Sequence, residues 1–131
     1  MDRAKVEKWV EQYFRCWREK DSGALVNLFT AHAVYRSSPF REPHRGTMAI
    51  RSYWDQATAS QSDFQVQNGI VIIDGRHASV EWWATWTENG ASVTLPGCLV
   101  LRFDSEDRCE ELREYWMADT ATREPPEGWG R

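Results

Sequence analysis

Apolar positions along the chain change their period part-way through. From Asp2 to Lys20 they fall at Val6, Trp9, Val10, Tyr13, Phe14 and Trp17, the i, i+3, i+4, i+7 spacing of one helical face. Asp21 is placed to cap a second, shorter helix over Ser22–Phe29, with Leu25, Leu28 and Phe29 on its buried side. Ala33–Ser38 reads as a short strand. Pro39 and Pro43 then enforce an irregular loop, and Gly46-Thr47 opens a third helix with Ile50, Tyr53, Trp54 and Ala57 as its stripe. Beyond this point the period falls to two. Gln61–Ile73 alternates, interrupted at Asn68-Gly69 by a bulge signal, and Asp74-Gly75 forms a turn into the next strand. A last strand, Cys109–Ala118, follows the polar run Asp104–Arg108.

The strongest pattern lies between Ala78 and Phe103, where two alternating segments flank Asn89-Gly90. Both central residues of a type I′ turn need φ > 0, which Asn and Gly tolerate best, so a two-residue hairpin is predicted. Its register opposes Glu88 to Ala91, Trp86 to Val93, Ala84 to Leu95, Trp82 to Gly97 and Val80 to Leu99. Opposed residues share a sheet face. One face is therefore apolar, running through Val80, Trp82, Trp86, Leu95 and Leu99, while Glu81, Trp83, Thr85, Thr94 and Cys98 lie on the other.

Helices first and hairpin-connected strands afterwards define an α+β class, with helices packed on one face of a bent sheet. Residues 1–118 form one domain, and 119–131, with Pro125-Pro126 and no apolar period, reads as a mobile tail. Composition adds exclusions. A net charge of −4 without a basic stripe argues against a nucleic-acid partner, and no apolar run reaches membrane-spanning length. Three cysteines without CxxC spacing, and no signal-peptide-like apolar run at the start, point to a reducing cytoplasm. His32, His44 and His77 match no ligand spacing, so neither a metal nor a cofactor is expected. Eight tryptophans are the unusual feature. Trp9, Trp17, Trp54, Trp82, Trp86 and Trp116 sit on inward stripes, as core or as the wall of a cavity for a flat, apolar ligand.

Glu114 is the sharpest chemical candidate. If Leu112 and Trp116 point inward, alternation places Glu114 between them on the same face, where apolar surroundings would raise its pKa into the range useful for proton transfer. The competing reading places it on the outer face, in a solvated ion pair with Arg102 or Arg113. Tyr13 lies on the apolar stripe of the first helix, either as a core tyrosine or as a donor. Tyr35 and Ser37 share the inward face of the first strand and can add donors, and His44 lies in the loop at the expected pocket mouth.

The order of elements and several local runs resemble the nuclear transport factor 2-like superfamily, including SnoaL-like polyketide cyclases. The runs Asp21-Ser22-Gly23-Ala24-Leu25-Val26-Asn27-Leu28-Phe29, Glu42-Pro43, Gly46-Thr47, Ala49-Ile50-Arg51 and Leu101-Arg102-Phe103 are similar to ketosteroid isomerases, and Leu112-Arg113-Glu114-Tyr115-Trp116 to the last strand of limonene epoxide hydrolases. The resemblance implies a cone-shaped, curved antiparallel sheet with three helices of the N-terminal half on its concave face, a cystatin-like α+β barrel around a deep apolar pocket. It implies that Tyr13 matches the isomerases' oxyanion-donating tyrosine, whereas their general base falls on Ser37 and their protonated aspartic acid on Leu99. Glu114 matches a water-activating carboxylate of the hydrolases, whose second aspartate falls near Trp82. The resemblance also implies a homodimer through the convex sheet face, which the outward Trp83 would suit.

These readings converge on a small-molecule enzyme of isomerase, cyclase, dehydratase or hydrolase type. Glu114 and Tyr13 would be its catalytic pair, and Trp17, Tyr35, Ser37, His44, Trp54, Trp82, Trp86, Leu99 and Trp116 would contact an apolar or aromatic substrate. The alternatives are a non-catalytic binder of hydrophobic ligands and a dimeric interaction module of the same fold.

Overall fold

The computed structural model describes residues 1–131. In chain order the elements are α1 (Arg3–Glu19), α2 (Ser22–Leu25), a 3-10 turn (Val26–Leu28), β1 (Phe29–Arg36), β2 (His44–Arg45), α3 (Thr47–Thr58), β3 (Gln61–Asp74), β4 (His77–Glu88), β5 (Ala91–Phe103) and β6 (Cys109–Trp116). The six strands form one open sheet in the order β2-β1-β6-β5-β4-β3. Neighbours are antiparallel except β1 and β6, which run parallel. The sheet is therefore mixed within the expected α+β architecture. The long connection through β2, α3 and the hairpins brings β6 back beside β1.

Asp2 caps α1 by accepting from the Lys5 N–H at 2.8 Å, and Lys20 ends the helix in the left-handed region at φ 54°. The buried stripe of α1 is Val6, Trp9, Val10, Tyr13, Phe14, Cys16 and Trp17. It shares a single core with Ile50 and Trp54 of α3 and with the inward residues of β4, β5 and β6. The β4–β5 register is the one that the Asn89-Gly90 turn predicts, including Trp82 opposite Gly97. Asn89 and Gly90 adopt φ 51° and 83°. β3 carries register shifts between Ser62 and Gln65 and between Asn68 and Val71, the second at the expected bulge.

Two local expectations change. Ser22–Phe29 is not one helix: it stops at Leu25, tightens into the 3-10 turn, and Phe29 already pairs with Cys109 as the first residue of β1. Long-range pairing overrides a weak local helix signal there. The loop between Pro39 and Pro43 leads into a two-residue strand, β2, whose His44 pairs with Tyr35. Two residues are too few to show a period.

The segment after β6 is also placed differently from a free tail. Asp119 exchanges backbone hydrogen bonds with Thr94 at 2.9 and 3.0 Å, continuing the β5–β6 register beyond Trp116. The chain then crosses the outer sheet face. Thr94 Oγ1 donates to the Ala121 carbonyl at 2.6 Å and accepts from the Arg123 N–H at 3.0 Å. Trp83 Nε1 donates to the Arg123 carbonyl at 2.9 Å, and its ring meets Trp129 edge-on at 5.8 Å. Gly130 then lies against Gly69 and accepts from the Ile70 N–H at 2.8 Å. A Cβ on Gly69 would come within 2.6 Å of Gly130 Cα, so the contact needs the bare backbone. The contacts are mostly to backbone groups, which leave no periodic trace in a sequence. Trp83, expected to meet a second copy, is thus engaged by its own chain. Removing residues 120–131 is expected to cost about 1–3 kcal/mol through the hydrogen bonds lost at Thr94 and Trp83, and to shift tryptophan emission to the red. Urea unfolding followed by fluorescence measures both.

Candidate active site

A cavity of about 710 Å³ opens on the concave side of the sheet. Its inner walls are aromatic: Trp54 from α3, Trp82 and Trp86 from β4, Trp17 from α1 and Tyr35 from β1. Exposed Arg41, Glu42 and Gln56, together with Ala118 and Thr120 beyond β6, form its rim. Pairing with Leu99 sets Glu114 on the concave face, where it also lines the cavity.

Glu114 is 7 % exposed and is the one charged residue in the buried set. Its outer-face alternative is closed, because Arg102 pairs with Glu110 and Glu111, and Arg113 with Glu111. Tyr35 Oη donates to Glu114 Oε1 at 2.6 Å, Tyr13 Oη donates to the same oxygen at 3.0 Å, and the two hydroxyls stand 2.8 Å apart. Glu114 Oε2 has no protein partner and is not enclosed by protein. Burial pushes the carboxyl up to about 7, against the two tyrosine hydrogen bonds that favour its ionised form. Burial, reinforced by the carboxylate, drives both tyrosines well above their usual range, so they remain neutral donors.

The other expected site residues divide by depth. Trp17, Tyr35, His44 and Trp54 line the cavity, as do Trp82, Trp86 and the half-exposed Trp116. Tyr13, Ser37 and Leu99 do not. Tyr13 is fully buried behind Glu114, stacked on Trp9 at 5.3 Å, so it meets the carboxylate from the core side. Leu99 packs beneath the wall, wholly buried. Ser37 works through its neighbours: its carbonyl accepts from Trp116 Nε1 at 2.8 Å, and its hydroxyl lies 3.3 Å from His44 Nε2. His44 stacks on Tyr53 at 4.3 Å, and burial, with Arg41 nearby, lowers its pKa.

Three contributors were not singled out from the sequence. Tyr53 forms the wall beneath His44. Gln61, 7 % exposed, accepts from Trp17 Nε1 at 2.9 Å and fixes that indole. Gly97 lets the Trp82 ring lie on the sheet, since a Cβ there would fall 2.3 Å from Trp82 Cζ2. The register predicted for the hairpin already set Gly97 opposite Trp82, and that was its signal.

The SnoaL-like domain family model matches residues 10–112, from the middle of α1 to the core of β6. The chain belongs to the SnoaL-like family. No curated protein matches its sequence. Solved structures share the fold of this SnoaL-like protein. SalBIII, an epoxide hydrolase/cyclase-like enzyme with a role in pyran ring formation in the polyether salinomycin, superposes with a TM-score of 0.80 at 22% identity, over 92% of this chain and 98% of that one. A protein with a ketosteroid isomerase-like fold from Catenulispora acidiphila, solved in complex with trimethylamine, gives 0.74 at 19% identity, over 82% and 83% of the two chains. A candidate SnoaL-like polyketide cyclase from Shewanella denitrificans gives 0.74 at 15% identity, over 85% and 89%. No helix of the SnoaL-like protein is long and apolar enough to cross a membrane.

Proposed function

We propose that this SnoaL-like protein is an acid/base enzyme that isomerises or cyclises an apolar or aromatic small molecule. The observation that carries the reading is the buried Glu114 carboxyl, at about 7, with Oε1 held by two hydroxyls and Oε2 left for the cavity. A group with that pKa exists in both protonation states near neutral pH, which suits a step that removes a proton and returns one. Isomerisation and intramolecular ring closure consume no net proton, so one carboxyl can serve for both transfers. Tyr35 and Tyr13 are positioning residues in this scheme. They hold Oε1 and leave Oε2 as the reacting atom. SalBIII shares the fold, and its role in pyran ring formation supports the same reaction class here.

The test is turnover of two probes that give products of unchanged mass: an aryl epoxy-alcohol that closes to a cyclic ether, and a bicyclic β,γ-unsaturated ketone that moves its double bond into conjugation. Consumption of either above the uncatalysed rate is expected. For the ketone, where the carboxylate starts the reaction, kcat/KM should rise with pH and level off above about 7. If both compounds bind and neither is consumed, the protein is a binder and not a catalyst for these reactions.

A further inference from the structure

The cavity of the SnoaL-like protein holds a second proton-carrying side chain besides Glu114. His44 lines it from β2, directly opposite Tyr35 in the β1–β2 register. The imidazole is fixed by three neighbours. Its ring stacks on Tyr53 at 4.3 Å, meets the Tyr35 ring at 6.2 Å, and sets Nε2 3.3 Å from Ser37 Oγ. Ser37 is buried, with its carbonyl tied to Trp116 Nε1, so the hydroxyl that orients the imidazole is itself held. In the tautomer that donates Nε2–H to Ser37 Oγ, Nδ1 presents a lone pair. Nδ1 has no protein partner and is not enclosed by protein. Glu114 Oε2 is in the same condition on the same cavity. One stretch of chain orients both groups: the Tyr35 hydroxyl holds Glu114 at 2.6 Å, and Ser37, just beyond β1, holds His44.

We infer that His44 is a second catalytic residue of this site, taking a proton through Nδ1 while Glu114 gives one through Oε2. The inference rests on the proposed ring-closing activity and adds a residue to it. In isomerisation a single carboxyl can remove the proton and return it. Ring closure of an epoxy-alcohol involves two different oxygens, which two groups can serve at once. The hydroxyl proton passes to Nδ1, and its oxygen forms a C–O bond to the epoxide carbon. The epoxide C–O bond breaks, and the released oxygen takes the proton from Oε2. Exchange with water then moves the proton from His44 back to Glu114, so no co-reactant is consumed. The protonation states agree with these roles. Burial raises Glu114 to about 7 and lowers His44 below its ordinary 6.5, so acid carboxyl and free imidazole coexist between those values. The other titratable groups facing the pair are Tyr13, Tyr35 and Tyr53, kept neutral by burial, and Arg41, whose charge opposes an imidazolium.

The experiment follows the aryl epoxy-alcohol and the β,γ-unsaturated ketone with wild type, His44→Gln and His44→Ala. For the epoxy-alcohol, wild-type kcat/KM is expected to pass through a maximum, falling in acid as His44 gains a proton and above about 7 as Glu114 loses one. His44→Gln should lower its kcat by about 10²-fold and remove the acid-side fall. The ketone reaction should drop at least about tenfold less, which reports that the site is intact. Imidazole added to His44→Ala should restore part of the lost rate, as no purely structural defect would allow. Ring closure at the wild-type rate in His44→Gln, or an acid-side fall that persists in it, would overturn the inference and leave the proposed activity standing. If wild type consumes neither probe, both are overturned together.

Discussion

Glu114→Gln is expected to lower turnover by about 10²–10⁴-fold, the usual contribution of a positioned acid or base, while raising stability at alkaline pH. The two effects come from the same burial. Desolvation holds the carboxyl at about 7 instead of an ordinary 4.5, so the folded state binds the proton more tightly than the unfolded chain does. Between those values the folded protein carries more protons, and stability falls as pH rises. The full contribution is present below pH 4.5 and is lost once pH passes about 7, a change of about 3 kcal/mol. Glutamine accepts from Tyr13 and Tyr35 without ionising. Chemical denaturation at pH 5 and pH 8.5 should show the wild type losing stability over this interval while the variant loses far less. Wild-type activity in the variant would remove Glu114 from the chemistry. A variant as pH-sensitive as the wild type would remove its elevated pKa.

The parts of this arrangement that were legible in the sequence are those set by local rules. Alternation either side of Asn89-Gly90 specified every β4–β5 pair, because a type I′ turn leaves no freedom in register. The same alternation put Glu114 on the face of Leu112 but left that face's direction open, and pairing with Leu99 sets it on the concave side. What could not be read were contacts between segments far apart in the chain. Tyr35 makes the shortest bond to Glu114, 79 residues away, yet the sequence ranked Tyr13 above it. The difference arises because β1 runs parallel to β6, a pairing created by the long return of the chain and by no local signal. The strap over Trp83 was illegible for a related reason, since it is held by carbonyls and by the contact of two glycines.

Gly97→Ala should have the second large effect, and it probes the wall rather than the carboxyl. The added methyl would lie 2.3 Å from Cζ2 and 2.5 Å from Cε2 of Trp82, distances that no side-chain contact tolerates. Trp82 is 1 % exposed and braced edge-on by Trp17, so the ring has no free volume behind it. It must tip away from the sheet, toward the cavity. Overpacking of this kind costs about 1–3 kcal/mol, and the displaced indole occupies space that a flat ligand would use. The substitution is therefore expected to lower both the urea midpoint and the affinity for any bicyclic probe. Combining it with Trp82→Leu separates the causes. The leucine has no ring over position 97, so the alanine should cost much less in that background, giving a coupling of about 1 kcal/mol or more in a double-mutant cycle. Additive effects would show that Gly97 matters through β5 backbone freedom and not through the flat placement of Trp82. A coupled result would make one missing methyl group at position 97 the reason why the Trp82 ring lies flat against this hairpin.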